Sequence, residues 1–500
     1  MLKVIVIFFG LLLALWENIA VANESNPLPT FIVENSVEVM EYDGHTLRDA
    51  HLDESPSFSG YPDDLLSGGL NTVGLQSTTP PSFADPLNPT ATELRRYAFY
   101  TYFRSNIDIT TEGGFGLFWG PDLAPDFGPD IEHGLIPGVE YTASMQVSER
   151  SGNIHRIPVA IQIPDHFDLK NPCIFLASSP ESQGYYGGIA IGEWGLLKGC
   201  AVVLPGKGTG TGFHDLSSDK VYTADGVLTS ATFSNAKIQF AVEKNGQLKE
   251  FTKKHPHRVA TKHAHSQINC ERIWGDLALN GIEFAFWALN DWFGQIMTTA
   301  EKVNNQSKKL DEICYPLEDE YTPENTLVIA AGISDGGGAA LRALENDTKG
   351  LIDGLVVSQP NINPDSANKF EIKIGTKRFN GHGTSFFENS TLMGIYAPCA
   401  ALSLSLQNTP CNVDPIGAPE GARVNRCQAL YSIGLLKADT ILDQAEEALD
   451  ILRAHGYEQA QEILLAGYEW LNIWRSLNPA YAAALGRFAV WENIGGISFG

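Results

Sequence analysis

The chain has 500 residues, 43% of them hydrophobic, and sets 34 Lys and Arg against 59 Asp and Glu for a formal charge of -25. That balance disfavours nucleic acid and anionic membrane surfaces as partners, and it argues against long-range steering of a carboxylate-bearing substrate, whose recognition must then be local. The length suits one large domain with insertions, or two domains.

Lys3, the apolar run Val4 to Trp16 and the small-x-small site Ala20-Val21-Ala22 predict a signal peptide over residues 1–22. The run is short for a bilayer span, so the expected location is secreted, either extracellular or periplasmic. Residues 23–135 are rich in Pro, Gly, Ser and Asp and predict a loop-rich N-terminal region, ordered by the aromatics between Tyr97 and Phe127. From 136 to 360 the pattern changes. Strands are expected at His155–Ile163, Cys173–Ala177 and Cys200–Leu204, with helices at Gly188–Leu197 and Trp274–Phe293. Such alternation predicts a parallel sheet covered on both faces, an α/β core.

The core culminates in Thr326 to Asn361. An apolar strand, Thr326 to Ala331, runs into Gly332-Ile333-Ser334-Asp335-Gly336, then a helix over Ala339 to Glu345 and a buried strand, Ile352 to Ser358. Strand, G-x-S-x-G, helix, strand is the context of a nucleophile elbow, with Ser334 as catalytic nucleophile. A serine nucleophile needs a base and two N–H donors for the tetrahedral oxyanion. The backbone of Asp335 is the first expected donor; the loop Ser178-Ser179-Pro180-Glu181-Ser182 should supply the second, and Ser179 is favoured there, although a plain polar turn fits the loop equally well.

After Pro360 the alternation stops. Residues 361–476 predict a loop-rich stretch to about 430 and then helices, with Leu435, Ala438, Leu442, Ala445, Leu449 and Leu452 at heptad spacing and a second run over Glu458 to Trp474. They suit a helical hairpin packed on itself, a cap over the site, or both; residues 477–500 form a return segment.

The base is harder to find. His382 lies in the glycine-flanked loop Asn380 to Gly383, and His455 precedes Gly456 at a helix end. Upstream, His263 and His265 sit at i, i+2 and suit either a catalytic or a plain polar loop. The glycine-rich Gly206 to Gly212 lacks the ending of a phosphate loop. Seven cysteines, an odd number, leave at least one outside intrachain pairing; Cys399, Cys411 and Cys427 can hold one bridge, while Cys173 and Cys200 sit in apolar strands as small core residues. No zinc-type spacing is present, so neither metal nor cofactor is expected.

With these residues in hand, the chain resembles the D-(−)-3-hydroxybutyrate oligomer hydrolases. The likeness rests on Asp63-Asp64-Leu65-Leu66, on EWGLLKGCAV (193–202), GKGTGTGFHD (206–215), KHAHSQ (262–267), SDGGGAALRA (334–343), GLIDGLVVSQPN (350–361), YAPCAAL (396–402) and GRFAVWENIGGISF (486–499). It implies an α/β-hydrolase-like serine esterase that cleaves 3-hydroxybutyrate dimers and short oligomers to monomer, with Ser334 at the nucleophile position and a small oligoester as partner. Esterases of other scope and a non-catalytic polyester-binding paralogue are the alternatives. Asp335 stands where Asn is expected, and a carboxylate there repels a developing oxyanion unless it points away or is paired. The resemblance also implies family chains that run past the position of Gly500, with the triad acid and histidine on strands beyond it. Ser334 is then expected on a sheet with an unpaired edge and no imidazole in reach.

Overall fold

The computed structural model of the chain describes residues 26–42, 63–75, 77, 79–103, 135–148, 154–180, 184–208, 212–231, 236–304, 320–362, 372–374, 377–379, 386–406, 421–457 and 473–492. The signal segment 1–22, Glu181, Ser182, His382, Cys314, Cys411 and most of the helical run from Glu458 lie outside them.

Strand β1 (Glu38–Tyr42) precedes helices α1 (Asn71–Leu75) and α2 (Ala91–Tyr102). A capping box opens α2: the Glu93 N–H donates to the Thr90 hydroxyl and the Thr90 N–H donates back to the Glu93 carboxylate. A long hairpin, β2 (Gly138–Ser148) and β3 (Ile154–Pro164), follows, then β4 (Cys173–Ser178), α3 (Ile189–Leu197) and β5 (Ala201–Pro205). An insertion comes next: β6 (Phe213–Asp215), β7 (Lys220–Tyr222), β8 (Leu228–Ser230), α4 (Gly246–Lys254), β9 (Val259–Thr261) and α5 (Lys262–His265). Helix α6 (Trp274–Asn304) leads to β10 (Leu327–Ile333), α7 (Asp335–Asn346) and β11 (Gly354–Ser358). A small ribbon, β12 (Ile372–Ile374) and β13 (Lys377–Phe379), is followed by helices α8 (Phe386–Ala400), α9 (Ala422–Ser432), α10 (Ile441–Ala454) and α11 (Ile473–Gly486).

Seven strands form the main sheet in the order β1-β2-β3-β5-β4-β10-β11. The sheet expected to be parallel is parallel only from β5 through β4 and β10 to β11; β1, β2, β3 and β5 pair antiparallel. The short connection from Ser148 to Ile154 accounts for the β2–β3 pair, because a parallel crossover needs a dozen or more residues and a hairpin needs only a few. Both faces of the sheet are covered. On one, α6 buries Leu277, Ile282, Phe284 and Leu289 against Val159, Val203 and Val328, with Ala340 and Ala343 of α7 beside them. Each such large side chain contributes about 1.5–3 kcal/mol relative to exposure. On the other face, Phe99 of α2 and Ile189 and Leu196 of α3 pack on Phe175, Val202 and Leu204.

Cys173 and Cys200, expected as separate core residues, form a disulfide with Cα atoms 4.7 Å apart. They stand at the starts of β4 and β5, which pair in parallel from Ile174↔Ala201, so their Cβ atoms are neighbours. Cys399 and Cys427, two of the expected trio, form the other disulfide and tie α8 to α9.

The sequence misses the four-stranded antiparallel sheet β8-β7-β6-β9 because strands of three residues carry no readable period. Helices α8 and α9 also occupy ground read as loop. Gly394 and Pro398 weaken the helix signal within α8, yet Met393, Ala397 and Ala400 are buried with Ala445, Leu449 and Leu452 of α10. Tertiary packing overrides propensity there. The heptad pattern from Leu435 becomes helical only at Ile441, where the Thr440 hydroxyl caps the Asp443 N–H. Helix α11 packs on α8 and α5. Among the described residues no helix is long and apolar enough to cross a membrane.

Candidate active site

Ser334 stands between the last residue of β10 and the first of α7, with φ 55° and ψ −122°. A non-glycine residue adopts that conformation only when its surroundings over-determine it. Here they do. The Ser334 N–H donates to the Ser358 carbonyl at 3.0 Å, and its carbonyl accepts from the N–H groups of Gly338 at 3.1 Å and Asn361 at 3.0 Å. The elbow is thus pinned both to its own helix and to the chain leaving β11.

The glycines at the elbow are required by space. A Cβ on Gly332 would lie 2.3 Å from the Gly336 backbone, and one on Gly336 would lie 2.2 Å from the Ser178 carbonyl oxygen and 2.8 Å from that of Ser179. The same measurement locates the second expected donor segment. Ser178 is in register with Gly332 across β4 and β10, and Ser179 follows it, so the loop after β4 lies in contact with the first turn of α7. The structure therefore brings Ser179 and Asp335 to the two sides of the elbow. As the first residue of α7, Asp335 has an N–H without an intrahelical acceptor. Ser179 is buried, and its hydroxyl donates to the Pro180 carbonyl at 3.1 Å. Ser178 is wholly buried, and its hydroxyl has no partner among the described residues.

The Asp335 carboxylate is paired: its Oδ1 accepts from Asn361 Nδ2 at 2.8 Å. Asn361 therefore supports the elbow twice, through its N–H to Ser334 and its amide to Asp335. The sequence offered only its place after Pro360, just past the expected strand Ile352 to Ser358. A cleft of about 560 Å³ runs along α7, lined by Asp335, Gly338 and Asn361 together with Glu271, Arg272 and Trp274; Ser334 is not among its lining residues. That volume falls within the range of small-molecule sites.

Among the described residues no imidazole hydrogen-bonds to Ser334. His265 Nδ1 accepts from the Thr261 N–H at 2.9 Å, and burial pushes its pKa down to about 4. His263 Nε2 lies 3.4 Å from Glu271 Oε1 without hydrogen-bond geometry, and its ring meets Tyr481 of α11 edge-on at 4.8 Å. His455 caps α10, its Nδ1 2.7 Å from the Ile451 carbonyl, as the helix-end reading expects. Two carboxylates upstream, candidates to orient an imidazole, have other partners: Asp215 accepts from Ser217 and Ser218, and Asp276 accepts from Asn346. Strand β11 pairs with β10 alone among the described strands, so it forms the sheet edge, where Val356 is 63% exposed. No group of three or more His, Cys, Asp or Glu among the described residues is placed to hold a metal.

Comparison with known proteins gives these features a context. The family model of the 3HB-oligomer hydrolases matches residues 13–500. The chain is 38% identical over 446 residues to the D-(-)-3-hydroxybutyrate oligomer hydrolase of Ralstonia pickettii, covering 88% of this chain and 58% of that protein. It is 38% identical over 470 residues to the enzyme of that name from Paracidovorax citrulli, covering 92% and 63%. To the one from Burkholderia ambifaria it is 36% identical over 485 residues, covering 96% and 65%. The chain thus spans less than two thirds of the length of each of these relatives. No solved structure matches it.

Proposed function

The chain belongs to the 3HB-oligomer hydrolase family, and on that premise we propose that it is a serine esterase hydrolysing 3-hydroxybutyrate dimers and short oligomers to monomer, with Ser334 as nucleophile. One observation carries the reading: Ser334 sits in a strained, glycine-walled turn between a buried parallel strand and a helix, the context in which a serine hydroxyl is presented for attack. As Ser334 Oγ attacks the ester carbonyl, its proton passes to a base that is not bonded to it among the described residues. The tetrahedral intermediate, which the N–H groups of Asp335 and Ser179 would stabilise, expels the alcohol, and water then hydrolyses the acyl-serine to the acid. The Asn361 amide neutralises the objection to Asp335 by engaging its carboxylate. An α/β-hydrolase kinship is part of the proposal. It is supported by the strand order β2-β3-β5-β4-β10-β11, in which the serine follows β10, the parallel neighbour of β4.

Export from the cytoplasm also belongs to this reading. The leader-like residues 1–22 and the two disulfides, which persist in oxidising compartments, support it. A second reading, a polyester-binding protein without turnover, draws on the lack of an imidazole bonded to Ser334 among the described residues.

Incubating the full chain with the 3-hydroxybutyrate dimer separates the two. Release of monomer by the wild type, lost in Ser334→Ala by a factor on the order of 10⁶ in kcat, is expected for the esterase. Saturable binding of the dimer with no monomer released supports the second reading. A Ser334→Ala chain with near-native turnover contradicts the first.

A further inference from the structure

A second left-handed residue stands next to Ser334, on the neighbouring strand. Ile333 of β10 is in register with Ser358 of β11. Ser334 and Gln359 therefore leave the two strands side by side, about 4.8 Å apart at the usual strand spacing. Neither is glycine, yet Ser334 has φ 55° and Gln359 has φ 47°. Gln359 also precedes Pro360, and the residue before a proline is pushed towards extended backbone.

The turn itself has a structural reason. It brings Pro360 to 3.2 Å from where a Cβ on Gly337 of α7 would stand, and it lets the Asn361 N–H donate to the Ser334 carbonyl at 3.0 Å. That accounts for the backbone and not for the side chain. Glycine makes such a turn without steric penalty, whereas a longer residue is strained there. Elsewhere in the molecule such side chains are engaged. Asn71 Oδ1 accepts from the Gly74 N–H at 3.1 Å, Asp219 Oδ1 lies 3.3 Å from His214 Nε2, and Gln267 Nε2 donates to the Arg487 carbonyl at 3.5 Å. Gln359 is exposed, and its amide has no such bond among the described residues.

Strand order narrows what this amide can meet. Strand β10 lies between β4 and β11. Ser179, the proposed oxyanion donor after β4, is thus on the opposite side of Ser334 from Gln359. With the carbonyl oxygen turned towards β4, the β11 side is left to the rest of the substrate. The Asp335 carboxylate, held by Asn361, belongs to that side too. It would repel an anionic group there and tolerate a hydroxyl. A primary amide donates and accepts, as a hydroxyl does.

With Ser334 as nucleophile, on which this rests, we propose that Gln359 is a specificity-determining residue. Its amide hydrogen-bonds the hydroxyl on the third carbon of the acyl unit that Ser334 attacks. The site then favours 3-hydroxyacyl esters over plain acyl esters of the same length.

The test compares hydrolysis of p-nitrophenyl 3-hydroxybutyrate and p-nitrophenyl butyrate, which differ only in that hydroxyl. The wild type should show a kcat/KM about tenfold higher for the hydroxylated ester, the effect of one hydrogen bond. Gln359→Gly removes the amide and relieves the backbone, so this ratio should fall to about one while the melting temperature holds or rises. A ratio unchanged in Gln359→Gly, or a wild type without preference, overturns the proposal. So does a clearly lower melting temperature in the variant, which would make Gln359 a structural residue. If neither ester is turned over, or turnover survives Ser334→Ala, the assignment of Ser334 fails and the role of Gln359 fails with it. Turnover that requires Ser334 but keeps its ratio in Gln359→Gly removes the role of Gln359 alone.

Discussion

The two halves of the main sheet hold polar groups in opposite ways. In the parallel half, β5, β4, β10 and β11 are short and the first three are mostly apolar; β4 ends on Ser178, with Ser179 after it, and Ser334 follows the last residue of β10. Parallel strands direct those ends to one edge, so Ser178, Ser179 and Ser334 meet there although they are far apart in the chain. In the antiparallel half, Glu140 near the start of β2 and its register partner Gln162 near the end of β3 are buried and bonded to each other, Glu140 is met by Arg95 of α2, and Arg95 in turn binds Asp63. The first half gathers reactive groups at a rim; the second buries charge beneath one. Polar residues at a rim cost little stability and can be used on substrate, whereas buried ones must be paired or must await a partner.

Removing the central cation of the antiparallel half should do the most damage. Arg95→Ala leaves Asp63 and Glu140 facing each other unpaired, and stability is expected to fall by about 3–5 kcal/mol in urea unfolding. A loss below about 1 kcal/mol would mean that the cluster is already hydrated and the contrast overstated.

The parallel half is tested at Gly336. Alanine is the better helix former by up to about 1 kcal/mol, but its Cβ would sit 2.2 Å from the Ser178 carbonyl. Overpacking of this kind typically costs about 1–3 kcal/mol, so Gly336→Ala should lower the melting temperature and reduce ester hydrolysis together. A stabilised variant would contradict the close approach of the loop after β4 to α7.

The seam between the antiparallel half and the insertion sharpens the comparison through pH. His155 of β3 and His265 of α5 are half-buried, and desolvation pushes their pKa values down to about 4 from an ordinary 6.5, so both are neutral near pH 7. The unfolded chain takes up those protons first, so the stability these residues contribute is fully present above about pH 6.5 and is lost as pH falls towards 4. Asp63, pushed up to about 6 by burial from an ordinary 3.8, acts in the opposite sense between those values and offsets part of the loss. Two histidines outweigh one aspartate. The urea midpoint should be lower at pH 5 than at pH 7, and an equal or higher midpoint at pH 5 would contradict the desolvation of the two imidazoles.

The smallest effect is expected at the open edge of the parallel half. Val356 of β11 is 63% exposed, and Val356→Ser should change stability by no more than about 0.5 kcal/mol. A larger loss in thermal unfolding would show that this edge is covered in solution.

The same contrast explains what the sequence discloses. The elbow is legible because its signals are local: a buried run, two glycines that space demands and a helix, all between Thr326 and Glu345. Strands β4 and β5 and helices α3 and α6 are legible by the same criterion. The cluster around Arg95 is not, since its members come from Asp63, Arg95, Glu140 and Gln162, and each taken alone is an ordinary polar residue. The Cys173–Cys200 disulfide is hidden for a similar reason, because it follows from the pairing of β4 with β5, which no local pattern reveals. The pairing of Asp335 with Asn361 likewise depends on β11 lying beside β10.

The central claim is that Ser334 is the nucleophile. Treating the full chain with a fluorophosphonate and mapping the adduct by peptide mass spectrometry tests it most directly, because the reagent reacts with a serine that a site has activated. The account predicts a single modified residue, Ser334, with ester hydrolysis lost in proportion to its modification. An adduct on another serine, or no adduct in a chain that hydrolyses the dimer, would contradict it.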